Sequence, residues 1–455
     1  MPRLLSLTLL LLLAGGGPAA IHAEMEPGTA AADPLRLPET VLPGLAPLIR
    51  TALEGSPGML RGRLELLASA AHADEQIAGL YPHVGFNLGA DGRAEVRRDL
   101  PGTHYGLNDT YSLGVTQPLY HWNTLVNQAR IARIQRQLGE SDFAEARRSL
   151  VLELRSQYTG LILSGLEYAQ AEADDRRHAA HLQLDEERAG RGEVTAADLA
   201  DERLAADESR VQLERLAAVR RRGRESFAVL LGLPEFAADL PTDIPSVPDW
   251  TPWLAASGPV PAGIVPAALA RQAGEREQAR LNLENQRVRL RPNLDLVAGV
   301  SESDISYVAN VAARYGVQDR YIGLQLNWNL FDGFASEAGS RAASAELRAK
   351  EQAWDDATRA LHRQLAADWE DLQLAQRELV LAEARLRNAT ARLDTARSQK
   401  DAGQMADDVW QQRVSDREQQ HLALLHLRAE QLLRVAEYAL LVRRAAQPAA
   451  ALNFP

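Results

Sequence analysis

Between residues 322 and 330, apolar and polar positions alternate. Ile322, Leu324, Leu326, Trp328 and Leu330 fall on one side, and Gly323, Gln325, Asn327 and Asn329 on the other. A period of two predicts a strand with one apolar face. After Phe331-Asp332-Gly333 the chain turns to Ala, Ser, Glu, Arg and Leu, a helix-forming composition, with Asp332 as the expected N-cap. The same joint occurs earlier. Tyr111, Leu113 and Val115 alternate with Ser112, Gly114 and Thr116, and Pro118-Leu119-Tyr120 leads into another helical stretch.

The two joints are in register. Tyr120 and Phe331 differ by 331 − 120 = 211, and Leu154/Leu365, Tyr158/Trp369, Leu161/Leu372 and Gly192/Gly403 keep that offset, while Pro82 and Pro292 differ by 210. Agreement over such a distance predicts one fold built from two similar halves. The first repeat spans 24–233 and the second 263–455, joined by a Pro-rich segment at 234–262. Each half reads as a helix (about 44–80 and 264–290), two strands (82–91 and 109–118; 292–301 and 321–331), a long helix (122–189; 334–401) and a return helix (194–231; 405–442). The segments at 91–110 and 302–320 carry Asp, Arg, Gly and Asn and read as solvated loops. The Pro-rich segment cannot be a helix of any length, and its Trp250 and Trp253 are expected to hold it against the outside of the helices.

A helix of about 68 residues is roughly 100 Å long and must lie against similar rods. Leu365, Leu372, Leu379, Leu386 and Leu393 recur every seven residues, with Ala375, Ala382, Ala389 and Ala396 three positions after four of them. A sustained heptad predicts coiled-coil packing, whereas a straight surface helix would drift toward a period of 3.6. Gly192 and Gly403 stop the long helices, and Thr195 can cap the helix that follows the first stop. Acidic residues follow both stops, at Asp198 and at Asp407 and Asp408, where helix-dipole stabilisation alone accounts for them.

Composition narrows the class. The first 23 residues hold one Arg, an apolar run from Leu4 to Ala14 and small residues ending at Ala23, the pattern of a signal peptide. The chain has no Cys, which excludes disulfides, thiolate metal sites and a lipid-bearing Cys, and its formal charge of −11 argues against nucleic acid as a partner. No later segment is apolar for long enough to form a transmembrane helix. The four strands have about the length that crosses a bilayer, yet a barrel closes only from about eight strands upward. In a membrane, several copies would therefore have to share one barrel, and three would supply twelve strands. A small soluble sheet packed on helices fits the alternation equally well.

The order of elements, twice repeated, resembles the TolC-like outer-membrane efflux proteins. The motifs that carry the resemblance are Tyr81-Pro82 and Arg291-Pro292 opening strands, Gln117-Pro118-Leu119-Tyr120 and Trp328-Asn329-Leu330-Phe331-Asp332-Gly333 closing them, Gly192 with Asp198 and Leu199, and Leu231-Gly232-Leu233-Pro234. The resemblance implies a mainly α fold with a β-barrel portion: two repeats per chain, long coiled-coil helices and four transmembrane strands, assembled as a trimeric α/β-barrel tunnel. It implies an outer-membrane location with the helices in the periplasm. The implied role is a passive conduit in a tripartite efflux or type I secretion system, working with a periplasmic adaptor protein and an inner-membrane pump or exporter. Asp407 and Asp408 become candidates for the periplasmic aperture, and Gly192, Thr195, Asp198 and Gly403 for contact with the adaptor. Tyr120, Trp122, Trp328, Phe331, Asp332 and Gly333 would mark the junction of barrel and helices, with the aromatics at belt depth. The second tip departs from the first, because Gly192 to Asp198 is six residues, Gly403 to Asp408 is five, and position 409 is Val.

No catalytic constellation accompanies these features. His421 and His426 are five apart and do not share a helix face, and the chain has neither a phosphate-cradling Gly loop nor a nucleophile elbow. No enzyme activity and no cofactor are expected. The alternative reading is a periplasmic coiled-coil scaffold or interaction protein without a channel.

Overall fold

The structure, a computed structural model, describes residues 37–42, 44–96, 102–246, 267–306 and 314–446. Where one opening helix was expected at 44–80, three short ones follow each other: α1 (Pro38–Val41), α2 (Leu45–Gly55) and α3 (Pro57–Ala78). Pro57 causes the break between the last two. Proline pushes the residue before it out of helical backbone, and Ser56 is extended at φ −64° and ψ 143°. Its hydroxyl accepts from Met59 N at 3.2 Å, so the break also caps α3.

The strands β1 (His83–Val96), β2 (Thr103–Tyr120), β3 (Asn293–Ser306) and β4 (Arg314–Asn327) form one antiparallel sheet in the order β1-β2-β3-β4. Register puts Phe86 beside Leu113 and Leu113 beside Val300. It also puts Leu296 beside Leu324 and Ala298 beside Ile322. Directly opposed residues share a face, so one face is apolar through its middle, with Gln117 on it toward one end and Glu302 and Arg320 toward the other. On it Leu88, Ile322 and Leu324 remain 74%, 79% and 66% exposed. The other face is small and polar, with Gly85, Gly114 and Gly299 in one row and Asn87, Ser112 and Ser301 in the next. The Tyr321 ring lies across Gly299, leaving no room for a Cβ there.

The strand limits differ from the expectation in both hairpins and at the end of β4. Both segments read as loops are largely ladder: β1 and β2 pair from His83↔Thr116 out to Val96↔Thr103, and β3 and β4 from Asn293↔Asn327 out to Ser306↔Arg314. Polar side chains report solvation, and a hairpin can continue past its apolar band with its backbone still paired. In the other direction β4 stops at Asn327 instead of 331. Its partner strand begins after Pro292, which has no N–H to donate.

The long rods are α4 (Thr124–Gly190) and α7 (Ala335–Asp401), with return helices α5 (Ala196–Leu231) and α8 (Asp407–Ala446). A 3-10 turn (Ala267–Leu269) leads into α6 (Ala270–Arg287). At 67 residues each, α4 and α7 are about 100 Å long. All nine heptad positions of α7 are buried or half-buried, and Leu379 and Ala382 pack on Leu424 of α8.

The principal core sits half-way along α4. Leu154, Tyr158, Leu161 and Ile162 meet Leu42 and Leu45, Phe227 and Leu231 of α5, and Leu425 and Leu432 of α8. The aromatic pair Tyr158–Phe227, with ring centres 6.0 Å apart, recurs as Trp369–Tyr438 at 5.9 Å, and 438 − 227 is again 211. Such a pair contributes about 0.5–1.5 kcal/mol beyond its buried area. Arg155, buried in α4, donates from Nε and Nη2 to the two Glu39 oxygens at 2.9 and 2.7 Å and so ties α1 to the core. The described part of the Pro-rich segment runs into this core, with Phe236 and Ile244 5% and 0% exposed. Trp250 and Trp253 lie outside the described residues.

Gly232 ends α5 at φ +73°, and a Cβ on it would stand 2.5 Å from the Gly55 carbonyl oxygen. Gly232→Ala should therefore lose about 1–2 kcal/mol to the left-handed backbone, with the clash against α2 added. Gly55→Ala meets open space and should melt within a degree or two of wild type. Thermal unfolding followed by circular dichroism measures both.

Candidate functional site

Two regions carry the sequence candidates: the joint where strands become helices, and the turns that end the long helices.

At the joint the chain makes the same turn twice. Trp122 and Asn123 have φ of 51° and 64°, and Gly333 and Phe334, each 211 positions on, have 66° and 67°. Two successive left-handed residues swing the chain out of the sheet into the helix. A bulky side chain at positive φ is strained, so something must hold Trp122 there. Its Nε1 donates to Pro292 O at 2.8 Å, the Arg291 guanidinium sits 4.4 Å over its ring, and Tyr120 meets it edge-on at 4.9 Å. Among the described residues Phe334 has only the Phe331 ring, edge-on at 5.3 Å, and is 68% exposed. Trp328 donates to Leu290 O at 3.0 Å. Tyr120, Trp328 and Phe331 are each at least half exposed beside the apolar face.

Asp332 is not the N-cap of α7. The two left-handed residues stand between it and the helix, and Phe334 occupies the cap position without a side-chain bond. Asp332 instead accepts from the Ser336 hydroxyl and faces Arg289 Nε at 3.8 Å.

A polar group under the sheet escaped the sequence reading. Asp295, 9% exposed, pairs with His121 Nε2 at 2.7 Å and accepts from Asn327 Nδ2 at 3.3 Å. The available signal was one charge inside the apolar run Leu294-Asp295-Leu296.

At the tips, Gly192 and Gly403 take φ of 77° and 71° and close matching turns. Glu193 N donates to Arg188 O at 3.0 Å, and Gln404 N to Gln399 O at 2.8 Å. The side chains then diverge. Thr195 caps α5: its hydroxyl accepts from Asp198 N at 3.2 Å and donates to the Asp198 carboxylate at 2.7 Å. The second tip has Ala406 and Val409 at the equivalent positions and cannot make this cap. There Lys400 Nζ donates to Asp407 at 2.6 Å and stands 5.1 Å over the Trp410 ring. Asp408 is exposed beside Asp407 in the first turn of α8. Neither Lys400 nor Trp410 was singled out from sequence, because the contact joins the end of one helix to the start of the next.

The Lys400 hydrogen bond holds the Asp407 carboxyl below the usual carboxylate range. A depressed folded value means the pair stabilises the tip above the ordinary carboxylate pKa of about 4 and fades as pH falls through the lower folded value. The pair is exposed and contributes under about 1 kcal/mol. Asp407→Ala should speed amide exchange around Gly403 by up to about fivefold at neutral pH. Acidification to about pH 3 should narrow that difference. Hydrogen-exchange mass spectrometry reads both. At the joint, Phe334→Gly should melt higher than Phe334→Ala by the equivalent of about 1 kcal/mol, while Trp122→Gly and Trp122→Ala should both melt below wild type.

Residues 48–233, from α2 through α5, match the family model described as outer membrane efflux protein. No curated protein sequence matches the chain. Among solved structures, the outer membrane protein VceC from Vibrio cholerae is similar at a TM-score of 0.70 and 15% identity, over 88% of this chain and 96% of VceC. The CmeC outer membrane channel of Campylobacter jejuni is similar at 0.71 and 11% identity, over 90% of this chain and 87% of CmeC. The MtrE outer membrane channel of Neisseria gonorrhoeae, in its open state, is similar at 0.64 and 15% identity, over 90% of each chain. The sequence signature of outer membrane efflux proteins thus covers the first repeat, and the fold of these outer membrane channels covers both repeats.

Proposed function

We propose that three copies of this chain close a twelve-stranded barrel in the outer membrane and join their helices into one tunnel across the periplasm. The observation that carries this reading is the sheet. Among the described residues β1 and β4 each pair on one side only, and the apolar face is bare. Open edges inside a bilayer would leave backbone groups unpaired, so the strands must pair with those of further copies. Apolar residues outward and Gly, Ser, Thr and Asn inward is the arrangement of an outer-membrane barrel with a wet interior. No helix among the described residues is long and apolar enough to cross a membrane, which leaves insertion to the strands.

The protein then serves as a passive conduit in a tripartite efflux or type I secretion system. A periplasmic adaptor protein meets the tips around Gly192, Thr195, Asp198 and Gly403, and an inner-membrane pump or exporter supplies the energy. Asp407 and Asp408, exposed at the second tip, line the periplasmic aperture and favour cations. The exposed aromatics Tyr120, Trp328 and Phe331 mark the periplasmic boundary of the bilayer.

The test is the native mass of the protein extracted from outer membranes in mild detergent, followed by conductance in planar bilayers. Three chains per particle and a cation-selective pore are expected. Asp407→Asn with Asp408→Asn should lower the cation-to-anion permeability ratio without changing the mass. A monomer, or protein released by carbonate wash, would replace this reading with that of a periplasmic scaffold.

A further inference from the structure

The first helical hairpin carries a group of side chains that neither coiled-coil packing nor the turn requires. His181 and Asp185 lie one turn apart on α4, and Glu202 faces them from the second turn of α5. One donor atom from each lies within 4.8 Å of the others. His181 Nδ1 is 3.7 Å from Asp185 Oδ2 and 3.8 Å from Glu202 Oε1. His178, one turn further back, brings its own Nδ1 to 3.9 Å from the same Glu202 oxygen. His181 Nδ1 is screened from solvent and has no hydrogen-bond partner. Asp185 is half-buried, and its other oxygen is held by Arg188 at 3.3 Å.

We propose that His181, Asp185 and Glu202, with His178 as a fourth donor, form a binding site for a divalent transition-metal ion of the zinc type that bridges α4 and α5 close to their turn. A screened imidazole nitrogen with no hydrogen-bond partner and carboxylates on two sides has the lone pair such an ion takes. In a tetrahedral zinc site, with bonds of about 2.0–2.2 Å, donors stand roughly 3.3–3.5 Å apart. The two spacings from His181 Nδ1, 3.7 and 3.8 Å, exceed that by a few tenths of an ångström, and all three donors lie within 4.8 Å of one another, within reach of side-chain rotation. The donor set fixes the class of ion. Imidazole with two carboxylates suits zinc and its neighbours, whereas calcium and magnesium prefer six or more oxygens. Arg188 on the far oxygen of Asp185 supplies the outer hydrogen bond that orients a ligating carboxylate.

The second hairpin supplies an internal comparison. At the four positions 211 residues on stand Ala389, Arg392, Ala396 and Arg413. Three of these line a groove of about 310 Å³ with Arg385 and Asp416. The same backbone therefore forms without histidine or acid at those places, so the cluster in the first hairpin is not a demand of the fold.

The experiment is calorimetric titration of the untagged full chain in mild detergent with ZnCl2, and with CaCl2 and MgCl2 in parallel. One zinc ion per chain is expected, with slower amide exchange across 181–203. His181→Ala and Glu202→Gln should each weaken zinc at least tenfold while leaving helical content unchanged. His426→Ala, on another helix, should bind as wild type does. Absence of zinc binding, equal binding by wild type and His181→Ala, or calcium binding as tight as zinc would each overturn the proposal. The readout is binding to the chain itself, so it stands or falls separately from the channel reading.

Discussion

A backbone amide that leaves water must find another partner, and in a bilayer the shortage is absolute. Among the described residues the demand falls on the outer edges of β1 and β4, which pair on one side only there, and on an apolar face that none of these residues covers. No rearrangement within a four-stranded sheet removes two edges. In the proposed assembly closure comes from further copies, and strands fixed in a ring would fix the helices that leave them in a ring too. The long rods follow from the same geometry: α4 and α7 leave the sheet at equivalent points and run side by side with their return helices.

The joint between the two regimes is where the backbone carries its cost. Strand and helix differ in period, in rise and in direction, and the chain changes all three within two left-handed residues. In the first repeat a tryptophan is held in that conformation by a carbonyl, a guanidinium and a tyrosine ring. In the second, glycine takes the first of the two positions, and the bulky residue comes one place later, with a single aromatic neighbour. The geometry is conserved between the repeats and the means of holding it is not. On the membrane placement proposed above, such an aromatic would serve twice, once as a brace for the turn and once as a surface that sits well at the edge of a bilayer.

Much of this was legible in the residues. The 211-residue offset found the repeat, and it extends to a pair that sequence reading had not joined, Phe227 with Tyr438, each set at a tilt against the aromatic expected to match its counterpart. The heptad leucines and alanines of α7 are buried or half-buried where the seam put them. What was misread has physical causes. Polar stretches at 91–110 and 302–320 looked like loops because composition records contact with water and not backbone pairing. Asp332 looked like a cap because residue type at a helix start is informative only when the residue's place relative to the first turn is known, and two left-handed residues moved that place. Phe236 and Ile244 were hidden among prolines, which predict an irregular backbone correctly and say nothing about whether its side chains reach a core. The contacts of Lys400 and of His181 cross from one helix to the next, and no local pattern encodes them.

The two hairpins therefore share a backbone and differ in chemistry. Both long helices end on a left-handed glycine with the same pair of backbone bonds. Beyond that bond pattern the first tip has a threonine cap and a histidine–carboxylate cluster, and the second has a lysine held between an aspartate and a tryptophan, with arginines along its flank. A duplicated element whose two copies did the same work would be under no pressure to separate in this way, since the common fold tolerates either set of side chains. In a closed ring the tips alternate around one axis. In the ring proposed above, an ion or a change of pH that acts on one kind of tip would act on every second position, and would bias one set of hairpins while the other set keeps its packing.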